Sequence, residues 1–330
     1  LEEAIAVRES VCLIDSTAFT KHIVKGPGAT HFLNWFTCNK LPKVGRINLT
    51  YALTDHGTTR TEYTIVRQGE DSYYLVSAGA WSSYDGDYLK KAAEDKMEEF
   101  GYIEIHDVTS QWGVFAIAGP KSRDLLKSVL NDVDVESALS NKKFPWLSAK
   151  TIEIGMCPVN AIRVAYTGEL GWELHHPIEM QNYLWDQLLL AGPEYGLRLV
   201  GARAQNWLRQ EKSYRAFGTE LGRDATPLEA DLSRFIDLEK EFVGKETDFD
   251  CEGEILNLER SLKCILTKQE NENENFVMFI DEINRANISK VFGELLSLIE
   301  NDKRGPENTV KILYSENDIN FYIPLSLIHI

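Results

Sequence analysis

Tyr166 and Glu173 stand seven residues apart across a glycine-rich bend, Tyr-Thr-Gly-Glu-Leu-Gly-Trp-Glu-Leu from Tyr166 to Leu174. A tyrosine ring offers a stacking face and a carboxylate offers paired acceptors. Together they suit a flat, amidine-like edge such as that of a pterin or guanine. With a strand from Ala161 to Tyr166 and another from Trp172, the glycines Gly168 and Gly171 make a hairpin that turns both side chains toward one pocket. The plain alternative is a surface hairpin with a buried Tyr and a solvated Glu. A second carboxylate, Glu62, lies on the alternating segment Arg60 to Arg67, where Glu62, Thr64 and Val66 share one face of a half-buried strand. Half-buried, Glu62 titrates higher than in water and suits proton transfer; solvated, it does not.

Other reactive-looking clusters carry less. His175 and His176 are adjacent, so on a strand their rings point to opposite faces and cannot readily share a metal. Gly119-Pro120-Lys121-Ser122 lacks the upstream glycine of a phosphate-binding loop and reads as a helix start with Pro120 in its first turn. Asp15 and Asp107 read as residues that cap or join strands.

The 330 residues, 43% of them hydrophobic, are enough for two or three domains with a substantial core. A net charge of -16 argues against a binder of nucleic-acid backbones. Five scattered cysteines without a CxxC pair indicate neither a disulfide framework nor a zinc site, and a reducing, cytoplasmic setting fits. No membrane span or signal core is visible, and the start at Leu1, inside a helical pattern, suggests a fragment of something longer.

These residues need strands and helices to hold them. Strands are expected at Val11 to Ile14, His22 to Lys25, Ile47 to Leu53, Arg60 to Arg67 and its hairpin partner Asp71 to Ser77, Tyr102 to His106, Trp112 to Ala118, Thr151 to Ile154 and Val159 to Tyr166. Helices are expected at Gly28 to Cys38, Trp81 to Phe100, Met180 to Tyr195 (stopped by Gly196) and Ala202 to Ser213. The fold class is α+β, with mixed, largely antiparallel sheets and flanking helices.

Several ordered segments resemble one family. They include Val7-Arg8-Glu9-Ser10-Val11, Val24-Lys25-Gly26-Pro27-Gly28-Ala29, Ala118-Gly119-Pro120-Lys121-Ser122, Tyr166 to Leu174, Leu208-Arg209-Gln210-Glu211-Lys212, Thr226-Pro227-Leu228-Glu229-Ala230 and Phe242-Val243-Gly244-Lys245-Glu246. In these the chain resembles the glycine-cleavage T-protein (aminomethyltransferase) family, closest to the folate-binding C-terminal half of dimethylglycine and sarcosine dehydrogenases. The resemblance runs to about residue 265, with residues 1–246 as the folate-binding domain. It implies tetrahydrofolate-dependent one-carbon (methylene) transfer from an amine-derived imine, with FAD confined to an upstream dehydrogenase domain that this chain lacks. It further implies that Tyr166 contacts the pterin and that Glu173 accepts from its amino-pyrimidine edge. Glu62 stands where the family carries its catalytic Asp, in His56-Gly57-Thr58-Thr59-Arg60-Thr61-Glu62, with Thr58 replacing a second Gly. Arg209 either meets the folate glutamate tail or pairs with a neighbouring acid; the second is favoured.

Residues 247–275 read as a junction or the start of a missing C-terminal barrel, with a polar linker Gln269 to Asn275. Residues 276–330, through Phe276 to Leu296, resemble the AAA+ GTPase subunit of a 5-methylcytosine-specific restriction enzyme. In such a motor the Walker B-like pair Asp281 and Glu282 would hold magnesium and polarise water, yet no GxxxxGK[ST] loop occurs in the chain. A chimera of two truncated modules is expected, with the AAA+ part inactive. The other readings are a nucleotide-hydrolysing restriction motor and a non-catalytic folate-binding regulatory protein.

Overall fold

The computed structural model describes residues 1–245 and, further on, the backbone of two short paired strands, Val310–Lys311 and Asn320–Phe321. The chain divides into two compact units, Leu1–Thr247 and Asp248–Ile330. The polar linker, the barrel start, Asp281 and Glu282 lie outside the described residues.

In the first unit the order is α1 (Glu2–Glu9), β1 (Val11–Asp15), β2 (Thr20–Lys25), α2 (Ala29–Phe36), β3 (Ile47–Leu53), β4 (Thr59–Gly69), β5 (Ser72–Ser77) and α3 (Ser82–Phe100). There follow β6 (Glu104–Asp107), β7 (Trp112–Ala118), α4 (Ser122–Val129), α5 (Val135–Ala138), β8 (Ala149–Ile154), β9 (Cys157–Ile162), β10 (Gly171–Pro177), α6 (Gln181–Tyr195), β11 (Leu197–Leu199) and α7 (Ala202–Glu211). One sheet runs β3-β4-β5-β2-β6 and the other β11-β1-β7-β10-β9-β8. Their pairings are antiparallel except β1 with β11. The fold is α+β with antiparallel sheets and flanking helices.

The period-2 pattern of β4 decides what faces what. Tyr63 and Ile65 enter a core with Phe32, Phe36, Leu75 and Leu89, beneath α2 and α3. Val66, on the opposite face with Thr64 and Glu62, joins Ile47, Tyr74 and Ile162 in a cluster that links the two sheets. On the second sheet, Trp172 and Leu174 of β10 pack with Phe115, Leu184 and Leu188 on the face that carries α6. Glu173 and His175 therefore look the other way, toward the first sheet.

Several boundaries differ from expectation. The strand expected to reach Tyr166 ends at Ile162, because the Val164 amide donates back to the Ile162 carbonyl in a tight three-residue turn. Pro120 sits in the turn ahead of α4, which begins at Ser122 after Gly119 (φ +129°). Asp15 and Asp107 do close strand ends: each accepts from a backbone amide two residues on, of Thr17 and Thr109, at 2.9 Å. Gly196 caps α6 in the left-handed region (φ 71°, ψ 35°). Among the described residues no helix is long and apolar enough to cross a membrane.

Candidate active site

Glu62 on β4 stands directly opposite Tyr51 on β3. Tyr51 is 1% exposed, with Phe235 edge-on to its ring at 6.4 Å. The Tyr51 hydroxyl is the neighbour that favours the charged form of the Glu62 carboxyl. Burial pushes the Glu62 carboxyl up to about 7, and the Tyr51 hydrogen bond opposes that push without cancelling it. Although Glu62 keeps some surface, the dense protein around its carboxyl outweighs the residual hydration. The result is a carboxyl that both holds and releases a proton near neutrality.

Tyr166 sits in the connection between β9 and β10, not at a strand end. Gly168 adopts φ +73°, which lets this connection turn. Gly171 is required for a different reason, since a Cβ there would lie 2.5 Å from the Ile117 carbonyl oxygen of β7. Arg8 of α1 clamps the loop from outside: it donates to the Thr167 carbonyl at 2.8 Å and to Glu169 at 2.7 Å, and also reaches Glu211 of α7 at 2.6 Å. The half-buried Tyr166 ring stacks on Tyr214 (6.2 Å, 22°) and its hydroxyl donates to the Arg215 carbonyl at 2.8 Å. Burial, followed by the nearby Glu62 charge, pushes its phenol above the ordinary range. The first-sheet carboxylate and the loop tyrosine of the second sheet are thus close enough to feel one another.

Arg209 lies beneath this loop, 3% exposed. Its guanidinium forms two 2.8 Å bonds to Glu220, donates to Asn206 through Nε and Nη2, and donates to the Tyr214 carbonyl at 2.9 Å. Burial alone would raise Glu220, but Arg209, the Ala216 amide and the Thr219 hydroxyl together hold it at about 2. All five donors of Arg209 are engaged, which favours the paired role expected for it over contact with a ligand. Through Tyr214 it supports the platform on which Tyr166 stacks.

Glu173 on β10 is 14% exposed in its side chain. Its Oε2 lies 3.2 Å from His175 Nε2, and His175 Nδ1 lies 3.0 Å from the Tyr74 hydroxyl on β5. His176 turns to the other face, its ring 4.7 Å from Phe115. The expected opposition of the two imidazoles is what the strand produces. Among the described residues no group of three or more His, Cys, Asp or Glu is arranged to hold a metal.

The structure therefore brings Glu62, Tyr51 and Tyr166 into mutual influence and ties Glu173 to His175 and Tyr74. It shows no direct contact between Tyr166 and Glu173. A surface cleft of about 450 Å3 lined by Trp35, Arg60, Tyr84 and Tyr88 includes none of the four expected site residues. There Arg60 stacks over Tyr88 at 3.7 Å and Tyr84 at 4.3 Å. Sequence reasoning missed Tyr51, Tyr74, Arg8 and Glu220. Arg8 lay within a segment that carried the family resemblance, whereas the partners of Tyr51 and Tyr74 depend on register and sheet packing.

Residues 252–329 match the family model for an AAA domain (dynein-related subfamily), a span that takes in the polar run before residue 276. Dimethylglycine dehydrogenase, mitochondrial, from Mus musculus is 36% identical over 262 residues, covering 78% of this chain and 29% of that protein. The chain thus spans less than a third of that relative. A probable aminomethyltransferase from Thermococcus gammatolerans is 31% identical over 278 residues, covering 74% of this chain and 66% of that protein. The crystal structure of glycine cleavage system aminomethyltransferase T from Bartonella henselae shares the fold, with a TM-score of 0.64 and 24% identity over 75% of this chain and 64% of that one. The model of the GCVT N-terminal domain matches residues 1–240, and the chain belongs to that family.

Proposed function

We propose that residues 1–240 bind tetrahydrofolate and pass to it a one-carbon unit from an amine-derived imine, as the folate module of a dimethylglycine or sarcosine dehydrogenase-like protein. The amine would be oxidised by an FAD-containing domain outside this chain. Family membership and the names of the similar proteins support the class of reaction. The observation that carries it to particular residues is the Glu62 carboxyl, directly opposite Tyr51 on the neighbouring strand, poised at about 7, restrained by Tyr51 and sensed by Tyr166.

The donor set suits a folate. Tyr166 is a half-buried ring, and Glu173 keeps one oxygen, Oε1, without a hydrogen bond among the described residues. That oxygen, with Oε2, offers acceptors to an amino-pyrimidine edge. Tetrahydrofolate supplies the nitrogen nucleophile when bound. The protein's part is to hold the ring against Tyr166, align it through Glu173, and store or release one proton at Glu62. A Glu can serve where the family carries Asp, because burial places its pKa near the working pH. Arg209 acts beneath the site, on the backbone that carries Tyr214.

Methylene transfer by the full chain coupled to its amine dehydrogenase tests this. Glu62→Gln should lower turnover by about 100-fold or more, the scale of positioned acid–base catalysis. Unchanged turnover would return Glu62 to a structural role. We also infer that the AAA-type segment is a separate module joined to the first, and amplification of source DNA across residues 240–290 tests that join.

A further inference from the structure

The adjacent histidines, unsuited to a metal, have different employments, and that of His175 bears on ligand binding. His175 is fully buried, and Tyr74 is 4% exposed. Tyr74 belongs to the first sheet and His175 to the second, so their 3.0 Å contact spans the interior between them. Their rings meet edge-on at 5.4 Å and 86°, an arrangement compatible with the phenol oxygen's contact to Nδ1. The other ring nitrogen is 3.2 Å from Glu173 Oε2.

Only one arrangement of hydrogens suits a neutral imidazole here. A bare Nε2 would face a carboxylate oxygen, setting two acceptors against each other. With the hydrogen on Nε2, the ring donates to Glu173 and its Nδ1 accepts from the Tyr74 hydroxyl. Both ring nitrogens of His175 and the Tyr74 hydroxyl then have partners, as buried groups require, and Glu173 Oε1 stays open toward the site.

We propose that His175, locked in the Nε2–H tautomer by Tyr74, is a positioning residue that fixes the carboxylate plane of Glu173 for a ligand with a paired N–H edge. This rests on the folate reading of Glu173. A glutamate side chain has several rotatable bonds, and freezing them costs affinity whenever a ligand must do it. The Tyr74–His175 strut performs that ordering in advance, from residues that do not touch the ligand. It also explains why a polar chain persists between two apolar sheet faces: its far end is the carboxylate at the site.

The test is tetrahydrofolate titration of the full chain with Tyr74→Phe, Glu173→Gln and the double variant, together with nitrogen NMR of 15N-histidine-labelled unsubstituted protein. Tyr74→Phe keeps the ring and removes only the hydroxyl. It should weaken binding about 3- to 10-fold, the loss of one neutral hydrogen bond. Once Glu173 is Gln, adding Tyr74→Phe should change affinity less than about twofold, because the strut then has nothing to hold. The NMR spectrum should place the His175 proton on Nε2. A weakened Glu173→Gln beside an unaffected Tyr74→Phe, additive effects, or a proton on Nδ1 with Nε2 bare would overturn the positioning role and leave the folate reading intact. Equal affinity in Glu173→Gln would remove both.

Discussion

Tyr51 and Glu62 stand directly opposite each other on β3 and β4, and Tyr51 holds the Glu62 carboxyl below the rise that burial alone would give it. The hydrogen bond favours the ionised form, so it restrains a carboxyl that burial would carry above 7. Tyr51→Phe should release that restraint. Hydrogen bonds to charged groups contribute about 1.5–3 kcal/mol, or roughly one to two pKa units. A carbon NMR titration of labelled Glu62, or the pH profile of methylene transfer, should show its midpoint rising by about one unit or more. A midpoint that stays at its original pH would show that Tyr51 does not hold the carboxylate.

The same carboxyl should weaken the fold at neutral pH. Its folded pKa of about 7 lies above the ordinary 4.5, so the folded state prefers it protonated. Asp85, bonded to Thr61 and Ser77 but raised by burial from 3.8 to about 6, acts in the same sense. Their favourable contribution is present below about pH 4 and is lost as pH rises through 6 and 7. Glu62→Gln, which cannot ionise, should therefore stabilise the protein at pH 8 by a few kcal/mol at most and leave it nearly unchanged at pH 4. Urea unfolding at the two pH values measures this. A destabilised Gln variant at pH 8 would refute the burden assigned to the charge.

Much of this arrangement was legible in the sequence, for physical reasons that also set the limit. The alternation along β4 separates Tyr63 and Ile65 from Glu62, Thr64 and Val66, and the two groups enter different cores. Ile47–Leu53 and Trp112–Ala118 have the bounds their β-branched and aromatic patterns predict. The three-residue β11 is too short to show any period, so its parallel pairing with β1 could not be read. The turn after Ile162 follows from backbone hydrogen bonding that no residue type marks. At the site, the glycine-rich bend announced itself, but Tyr51 opposite Glu62, and Tyr74 behind His175, are facts of register and packing between distant segments.

Arg209 gives a prediction that separates support from ligand contact. Glu220 is 7% exposed in its side chain, and removing Arg209 would take away the two 2.8 Å bonds that Glu220 accepts from the guanidinium. Arg209→Met should cost about 3–5 kcal/mol of unfolding free energy, the scale seen when one partner of a buried pair is deleted. Arg209→Lys keeps the charge but not the planar fork that serves Glu220, Asn206 and Tyr214 at once. Its folate affinity should fall through disorder at Tyr166, equally for ligands with one or several glutamates on the tail. A loss confined to long-tailed folates would instead place Arg209 in contact with the tail.

The two glycines of the Tyr166 loop should fail differently. Gly168→Ala meets a left-handed backbone, φ +73°, and a Cβ 2.3 Å from Lys212 Cγ. The clash reaches Lys212 Cγ, so the lysine must change rotamer from its root, and that repacking adds to a conformational cost of about 1–2 kcal/mol. Gly171→Ala sets its Cβ 2.5 Å from the Ile117 carbonyl oxygen and 3.1 Å from Ala118 Cα, both backbone atoms of the neighbouring strand. Neither atom can move without shifting β7 against β10, and Glu173 lies two residues along β10. Gly171→Ala should therefore cost more than Gly168→Ala in urea unfolding, above about 2 kcal/mol for overpacking against fixed atoms, and weaken tetrahydrofolate binding the more. Equal losses in the two variants would mean that β7 yields as readily as a lysine side chain, and that the position of Glu173 is not set by this strand contact.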